Sequence, residues 1–309
     1  MAGQTNPLHA KLDRAKLDHT KLDMAPVDIH EPLAESAPLA RRWAETLCRG
    51  CGSYHGAWQT LRLLGVLNSM RSDDDFLMTQ LDLAISKGAT KFLISGAADY
   101  ALQARIAAVA KKYKTKPELT IADLCETPLK LNRWYAKRVG MDIELFQGNV
   151  LNYRQPDYFD LVCTHSFLAF FDTDERRKLI GVWWDCLSPG GAVLTAQRTR
   201  PSVTSSRHGF NEAEADALGQ RAYDKAGEQF DRFGIAPEFA RRLAVEYAAG
   251  KSTYVFRDSE QLRRLFLNQG FELEQFAPPD PGQTEKDLPS SPTIAGHQRM
   301  RILARKPVS

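Results

Sequence analysis

The chain has 309 residues, 43% of them hydrophobic, and nearly balanced acids and bases leave a net charge of +3. This length and composition are typical of a globular protein with one large core, with or without a smaller accessory domain. No basic block is interleaved with aromatic residues, so we expect no nucleic-acid partner and favour a small molecule. No apolar run approaches the roughly 18 residues of a membrane-spanning helix, and the N-terminus lacks the apolar core of a signal peptide. We therefore expect a cytoplasmic protein without a membrane partner.

The five cysteines, an odd number, fit a reducing compartment. Cys48 and Cys51 form a CxxC pair, which could indicate metal or redox chemistry. No second pair follows, and we find no HxH motif, no HExxH motif and no clustered Cys/His set in the sequence. We therefore expect a structural role for the pair and no metal site.

The N-terminal third divides into an arm and a helical segment. Residues 1–32 contain the repeat HAKLD, RAKLD, HTKLD, whose leucines fall five apart and form no helical face, so a mobile low-complexity arm is predicted. Residues 33–87 have helical periodicity, with the acidic run Asp73–Asp75 at a helix start, and are predicted to form a helical cap. Residues 88–309 are predicted to hold the main sheet.

From Lys91 onward, short apolar runs alternate with helical segments, which indicates a parallel sheet covered on both faces. The predicted strands are KFLIS, LTIAD, DIELFQG, FDLVCTH and GAVLTAQ, and the predicted helices span residues 100–113, 128–139 and 173–187. The sequence SPGG after the third helix is a strong helix stop. Two amphipathic helices then form a predicted insertion at about 203–252, before the strands FELEQF and HQRMRILARKP close the sheet as antiparallel neighbours.

This order of elements resembles the class I S-adenosylmethionine (SAM)-dependent methyltransferase superfamily. The resemblance rests on LTIADLCETPL, FQGNVLNY, FDLVCTHSFLAFF and LSPGGAVLTAQ, in that order. It implies an α/β fold with a Rossmann-like, seven-stranded, mainly parallel sheet whose last strand is antiparallel. It also implies that residues 88–309 form a SAM-binding domain with a helical insertion, and that SAM is a cosubstrate or substrate.

Four positions acquire cofactor roles from the resemblance. Asp123 ends the second strand, where a carboxylate can accept hydrogen bonds from both ribose hydroxyls, and Leu124 would lie against the adenine. Asn149 and Val150 follow the third strand, where the family reads the adenine amino group. Each has an alternative: a capping or salt-bridge role for Asp123, a core position for Leu124, and a tight turn for Gly148 and Asn149.

The turn after the first strand departs from the family pattern. Gly96 and Ala97 supply the small residues that let the backbone approach the methionine part of SAM, but the family's acid two residues before the first glycine is replaced by Ile94. Asp99 is the nearest carboxylate, so Gly96, Ala97 and Asp99 complete the predicted cofactor set. How the amino end of SAM is held stays open.

Two residues are candidates for catalysis. His165 follows the fourth strand, where it could contact the cofactor and orient or deprotonate an acceptor, although a hydrogen-bonded wall residue is equally compatible with its position. Tyr54, in CGSYHGAW, lies in the predicted cap, which folds over the cofactor in resembling proteins, and a surface position is its alternative.

Three functions are compatible with these observations. The first is a SAM-dependent methyltransferase that acts on a small molecule in secondary metabolism. The second, similar to azetidine-2-carboxylate synthases and aminobutyryl transferases, is a transferase or cyclase that attacks the gamma carbon of SAM and releases methylthioadenosine. The third is a non-methylating nucleotide-binding protein. The absence of a GxGxxG motif argues against a dinucleotide as its ligand.

Overall fold

A computed structural model describes residues 27–67, 70–279 and 298–308. The pentapeptide repeats of the predicted arm lie outside these ranges. No helix within the described ranges combines the length and the apolar character needed to cross a bilayer.

The main sheet has seven strands in the described part of the chain, in the order β3-β2-β1-β4-β5-β9-β8. The strands are β1 (Lys91–Ser95), β2 (Glu118–Asp123), β3 (Ile143–Gln147), β4 (Phe159–Cys163), β5 (Leu187–Thr199), β8 (Glu272–Ala277) and β9 (Gln298–Arg305). Strands β1 to β5 pair in parallel, whereas β9 is antiparallel to both β5 and β8. The predicted α/β fold, a mainly parallel sheet with an antiparallel last strand, is confirmed.

Helices cover both faces of this sheet. They are α1 (Leu33–Leu47), α2 (Gly52–Leu63), α3 (Asp74–Ser86), α4 (Ala101–Tyr113), α5 (Glu126–Val139), α6 (Thr173–Cys186), α7 (Glu212–Glu228), α8 (Phe230–Phe233), α9 (Pro237–Gly250) and α10 (Ser259–Leu267). The short strands β6 (Arg207–Gly209) and β7 (Ser252–Tyr254) pair at the two ends of the segment that holds α7 to α9. The sequence pattern did not predict this strand pair.

The core is divided by the sheet because successive side chains of a strand point to opposite faces. Phe92 and Ile94 of β1 pack in one cluster with residues of α3 and α4, while Leu93 packs in a second cluster with residues of α6 and α10. The β1 side chains are therefore apolar on both faces of the sheet, which explains the continuous hydrophobic run in the sequence of this strand. The sheet therefore holds its carboxyl ends rigidly in place.

The helices of the predicted cap divide between two locations. Trp58 and Leu61 of α2 pack with residues of α7 and α9 in a third apolar cluster. Phe76 and Leu77 of α3 instead lie in the main core beside the sheet, so α3 belongs to the helical layer rather than to the cover.

The junction between α6 and β5 differs from the sequence prediction. Helix α6 ends at Cys186, and the SPGG sequence lies inside β5 rather than between a helix and a strand. Gly190 adopts a φ of 81° there, and the pairing with β4 shifts register between Phe159 and Leu161. The irregularity lets the strand begin directly at the helix end.

Candidate functional site

A cavity of about 110 Å³ lies at the carboxyl ends of the parallel strands, under α2 and the insertion. Its walls come from the β1 turn (Gly96 to Asp99), the β4 turn (His165 and Ser166) and the end of β5 (Gln197 and Arg198). Its cover includes Tyr54, Trp58, Phe170 and Lys251. This edge is where open α/β sheets bind their ligands.

A larger groove, of about 1100 Å³, lies elsewhere. It is lined by the end of α4, the end of α5 and the beginnings of β2 and β3, including Lys111, Pro117 and Asp142. None of the predicted site residues lines this groove. We therefore place the candidate site at the smaller cavity, where the polar side chains converge.

The β1 turn requires glycine at its first position. Gly96 has a φ of 75°, and a Cβ on it would lie 2.3 Å from the Phe167 ring. The Ala97 N–H donates to the Asp123 carboxylate at 2.9 Å, which joins the β1 and β2 turns. Ile94 stands where the resembling family has an acid, and its side chain is buried in the core. This position therefore supplies no carboxylate.

Asp99 lies in the cavity wall, but its carboxylate is already engaged. It accepts hydrogen bonds from Trp58 Nε1 at 2.8 Å, from Arg62 at 2.5 Å and from the Ala101 N–H at 2.7 Å. Arg62 also pairs with Glu31 at 2.5 Å. This buried ion network fastens α2 to the β1 turn. The sequence identified Asp99 as the nearest carboxylate but not its cationic partner, which is 37 residues away.

Asp123 and Leu124 lie side by side at the end of β2. The Asp123 carboxylate accepts the N–H groups of Ala97 and Cys125, the latter at 2.7 Å. Desolvation raises the pKa of Asp123 to about 6, although these backbone donors oppose the rise. The Leu124 side chain is 72% exposed, so it is not the core residue of the alternative interpretation.

Asn149 and Val150 follow β3 on the same edge. The Asn149 side-chain oxygen accepts the Leu151 N–H at 3.0 Å and caps a short 3-10 turn, while Val150 is buried. The Gly148 N–H donates to the Asp123 carbonyl at 3.0 Å, which ties the β3 end to the β2 end. Asn149 therefore caps the turn, and the residue is exposed to solvent at the end of β3.

His165 pairs with a carboxylate that the sequence did not identify. Its Nε2 lies 2.9 Å from Asp73 Oδ2, and Asp73 also accepts from Arg299 and Arg301. Although burial opposes it, the His165 hydrogen bond and the Arg299 charge hold the pKa of Asp73 well below its usual range. Burial lowers the pKa of His165 in turn, partly offset by Asp73. An ionised Asp73 carboxylate can only accept, so His165 donates Nε2–H to it, and the lowered pKa favours the imidazole form in which Nδ1 carries a lone pair.

Tyr54 is a half-buried residue of the cover that lines the cavity, rather than the surface residue of the alternative interpretation. Its ring stacks on Trp58 and Tyr247, at centroid distances of 5.5 and 5.7 Å, and burial raises the pKa of its hydroxyl. The Lys251 ammonium position lies 4.5 Å from the Tyr54 ring and 4.3 Å from the Phe170 ring. Removal from solvent, with the charge of Arg198, lowers the pKa of Lys251 to about 7. Lys251 is a titratable cavity residue that the sequence analysis missed.

The prediction that the chain has no clustered Cys/His set needs correction. Although no second CxxC follows, the fold brings Cys125 and His55 beside Cys48 and Cys51, and their ligand atoms lie within 4.8 Å of one another. The sequence argument failed because Cys125 is 74 residues beyond Cys51 and reaches it only through the packing of α1 on α5 and on α2.

Comparison with protein families identifies the middle of this domain. Residues 104–191, from α4 into β5, match a family model described as a methyltransferase domain. Together with the strand order, this match confirms the resemblance to the class I SAM-dependent methyltransferase superfamily. No curated protein matches the sequence.

Several solved structures are similar to the chain. A SAM-dependent methyltransferase from Methanosarcina mazei is 16% identical, with a TM-score of 0.46 over 72% of this chain and 94% of that one. An N-methyltransferase, NodS, from Bradyrhizobium japonicum in complex with S-adenosylhomocysteine is 18% identical, with a TM-score of 0.45 over 81% and 98% of the two chains. An O-methyltransferase family protein from Burkholderia thailandensis is 14% identical, with a TM-score of 0.47 over 84% and 60%.

Proposed function

We propose, starting from the methyltransferase domain that residues 104–191 match, that the chain transfers the methyl group of SAM to a small molecule. The observation that carries the proposal is the cavity at the carboxyl ends of β1, β4 and β5, which is lined by His165 and covered by α2 and the insertion. A covered cavity of this kind suits a small acceptor and excludes water from the transfer. We also propose that the small molecule belongs to secondary metabolism.

The edge formed by the β1, β2 and β3 turns fits SAM in three respects. Asp123 offers carboxylate oxygens to the ribose, the 72% exposed Leu124 offers an apolar surface to the adenine, and Asn149 offers its amide beside them. Gly96 allows the left-handed φ of the β1 turn, and the Phe167 ring packs against it where a side chain would otherwise stand. We assign Ala97 and Val150 to the same edge through their backbone groups, and Asp99 and His165 to the wall next to the methionine part.

Methyl transfer needs a nucleophile that loses a proton. The acceptor atom attacks the methyl carbon, the carbon–sulfur bond electrons return to sulfur, and S-adenosylhomocysteine leaves. We assign the proton to His165 Nδ1, because Nε2 already carries a proton, which it donates to Asp73. Tyr54 and Lys251 close the acceptor side, and Lys251, with a pKa of about 7, can contact the acceptor as an amine or an ammonium.

The proposal is tested with SAM that carries a labelled methyl group and with the small-molecule fraction of a cell extract. We expect SAM to bind in calorimetry and the label to pass into a small molecule together with an equal amount of S-adenosylhomocysteine. His165→Gln should lower this rate by about 10² or more, the usual contribution of a general base. His30→Gln is the matched control, because His30 is exposed and lies outside the cavity. Absence of SAM binding would contradict the proposal at its first step.

One observation favours a second candidate function. Ile94 is buried and Asp99 is bound by Arg62, so neither supplies an unengaged carboxylate to the SAM ammonium. An amine without a carboxylate partner has a lower pKa and can attack its own gamma carbon. The nitrogen then bonds to that carbon, the gamma carbon–sulfur bond breaks, methylthioadenosine leaves with the electron pair, and the amine proton passes to a base.

SAM alone separates the two candidates. A methyltransferase without its acceptor leaves SAM unconsumed beyond spontaneous decay, since the attacking atom is missing. A cyclase instead releases methylthioadenosine and an equal amount of azetidine-2-carboxylate. The rate of a cyclase should rise with pH, because the SAM amine must lose its proton before it attacks. Ile94→Glu would restore a carboxylate near that amine and move this rise to higher pH. If SAM alone is stable and S-adenosylhomocysteine forms only with extract, the second candidate is wrong.

A further inference from the structure

Three thiols and one imidazole converge where the turn between α1 and α2 meets the beginning of α5. Cys48 Sγ lies 3.5 Å from Cys125 Sγ and 3.4 Å from His55 Nδ1, and Cys51 Sγ lies 3.6 Å from Cys125 Sγ. None of the three cysteines is in a disulfide. The four ligand atoms all lie within 4.8 Å of one another.

These separations are close to the edges of a zinc tetrahedron. With Zn–S bonds of about 2.3 Å and Zn–N bonds of about 2.0 to 2.1 Å, tetrahedral angles place sulfur atoms about 3.8 Å apart and sulfur about 3.6 Å from nitrogen. The observed 3.5 and 3.6 Å between sulfurs, and 3.4 Å between sulfur and nitrogen, fall short of these edges by a few tenths of an ångström. The other three pairs of ligand atoms lie within 4.8 Å, so small side-chain rotations would bring all six separations to these edges and admit the ion.

We propose that Cys48, Cys51, His55 and Cys125 bind one Zn²⁺ ion in a closed Cys₃His site. Thiolate and imidazole ligands in a tetrahedron select zinc over calcium or magnesium, which prefer oxygen. Four protein ligands leave no open coordination position, so the site is structural rather than catalytic. Nothing in this assignment depends on SAM or on methyl transfer.

The surroundings of the cluster support a metal site. The buried Thr127 Oγ1 lies 3.2 Å from Cys48 Sγ, where its hydroxyl can donate to a thiolate, as groups around metal ligands commonly do. Cys48 follows α1 directly, Cys51 immediately precedes α2, and His55 lies in the first turn of that helix. The backbone therefore presents three ligands within eight residues before Cys125 completes the set.

The location of Cys125 gives the ion a consequence for the cofactor edge. Cys125 follows Leu124 directly, and its own N–H donates to Asp123 Oδ1 at 2.7 Å. A zinc ion on its sulfur would join the turn that holds Asp123 and Leu124 to α1 and α2 of the cover. The ion would thus fix the cover and the proposed ribose-binding turn relative to each other, and this consequence alone rests on the proposed function.

The experiment measures metal in the full-length protein, purified under reducing conditions without chelator. Elemental analysis should find about one zinc per chain, and Cys125→Ser and Cys48→Ser should each lower this at least tenfold. Cys186→Ala is the matched control, because Cys186 is also a free thiol but lies at the end of α6, outside the cluster, and this variant should keep its zinc. Circular dichroism establishes that each variant is folded.

Cobalt provides a second measurement that does not depend on any variant. Wild-type protein stripped with a chelator and reloaded with Co²⁺ should show the intense visible bands of tetrahedral cobalt and a thiolate-to-cobalt charge-transfer band. Zinc removal should also lower the melting temperature, since a bound metal stabilises the folded state.

Three outcomes would overturn the proposal. One is wild-type protein that contains no zinc and takes up neither zinc nor cobalt in the presence of reductant. Another is a folded Cys125→Ser variant with as much zinc as wild type. The third is an intact mass two hydrogens below the reduced value in the freshly purified protein, with peptide mapping that locates the disulfide between two of Cys48, Cys51 and Cys125.

Discussion

The affinity for SAM should fall as the pH drops through about 6, because Asp123 must be ionised to accept hydrogen bonds from the ribose. Desolvation raises the pKa of Asp123 to about 6 in the protein without ligand. Bound hydroxyl donors favour the ionised carboxylate, so the pKa of the complex must be lower than that of the free protein. Binding near pH 6 therefore releases a proton, and acid weakens it.

The size of the effect follows from the ionised fraction. With a pKa of about 6, about nine tenths of Asp123 is ionised at about pH 7 and about one tenth at about pH 5, which gives a roughly tenfold loss of affinity. In Asp123→Asn this slope should vanish, and affinity at about pH 7 should fall by about 1 to 3 kcal/mol, the scale of hydrogen bonds to a charged group.

Calorimetric titration with SAM at several pH values measures both quantities. Repeating each titration in two buffers with different ionisation enthalpies counts the protons released. Asp142→Asn serves as the matched control, since Asp142 is an exposed acid just before β3 and should keep the wild-type slope. A pH-independent affinity, or an equal slope in Asp123→Asn, would refute the assignment of Asp123 to the ribose.

Three further predictions concern residues around the cavity. Asp73→Asn should lower the free energy of unfolding by about 3 to 5 kcal/mol in urea titrations, because it removes a buried carboxylate that pairs with Arg299, Arg301 and His165. Since the native pKa of Asp73 is depressed, its contribution is present above the unfolded value near 4 and lost below it, so unfolding at acidic pH should show a smaller difference. Lys251→Met should remove any limb near pH 7 from the rate profile, whereas retention of that limb would assign it to another group. Gly96→Ala should destabilise the protein by about 1 to 3 kcal/mol because its Cβ meets Phe167, and Gly88→Ala, which has an open environment at a similar φ, measures the backbone part alone in the same thermal unfolding assay.

The sheet could be predicted from sequence because each of its strands is a local signal. The runs around Leu93 and Val162 are apolar on both faces, and the turn residues at their ends mark where each strand stops. The locations of Asp123 and Asn149 could be predicted for the same reason. Residues at the carboxyl ends of parallel strands lie at the edge where such sheets bind ligands. Local patterns could not predict β6 and β7, which are three residues each.

The polar partners of the site could not be predicted because they come from distant parts of the chain. Asp73 meets His165 across 92 residues, and Cys48 meets Cys125 across 77. A charged residue at a helix start, such as Asp73, has an ordinary local explanation in the helix dipole, which hides its second role. Only the packing of α1 to α3 around the sheet brings these groups together.

The cover is joined to the cofactor edge at two points of different chemistry. Arg62 and Trp58 of α2 bind Asp99 in the β1 turn, while Cys48 and Cys51 contact Cys125 in the β2 turn. Both turns also share Asp123, whose carboxylate accepts the Ala97 N–H from one and the Cys125 N–H from the other. Separating the buried Arg62 from Asp99 would leave charges without partners in the interior, which is strongly destabilising. The ion pair therefore holds α2 close to the β1 turn. The positions of helices α1 and α2 therefore constrain the backbone of the β1 and β2 turns, which we assign to SAM.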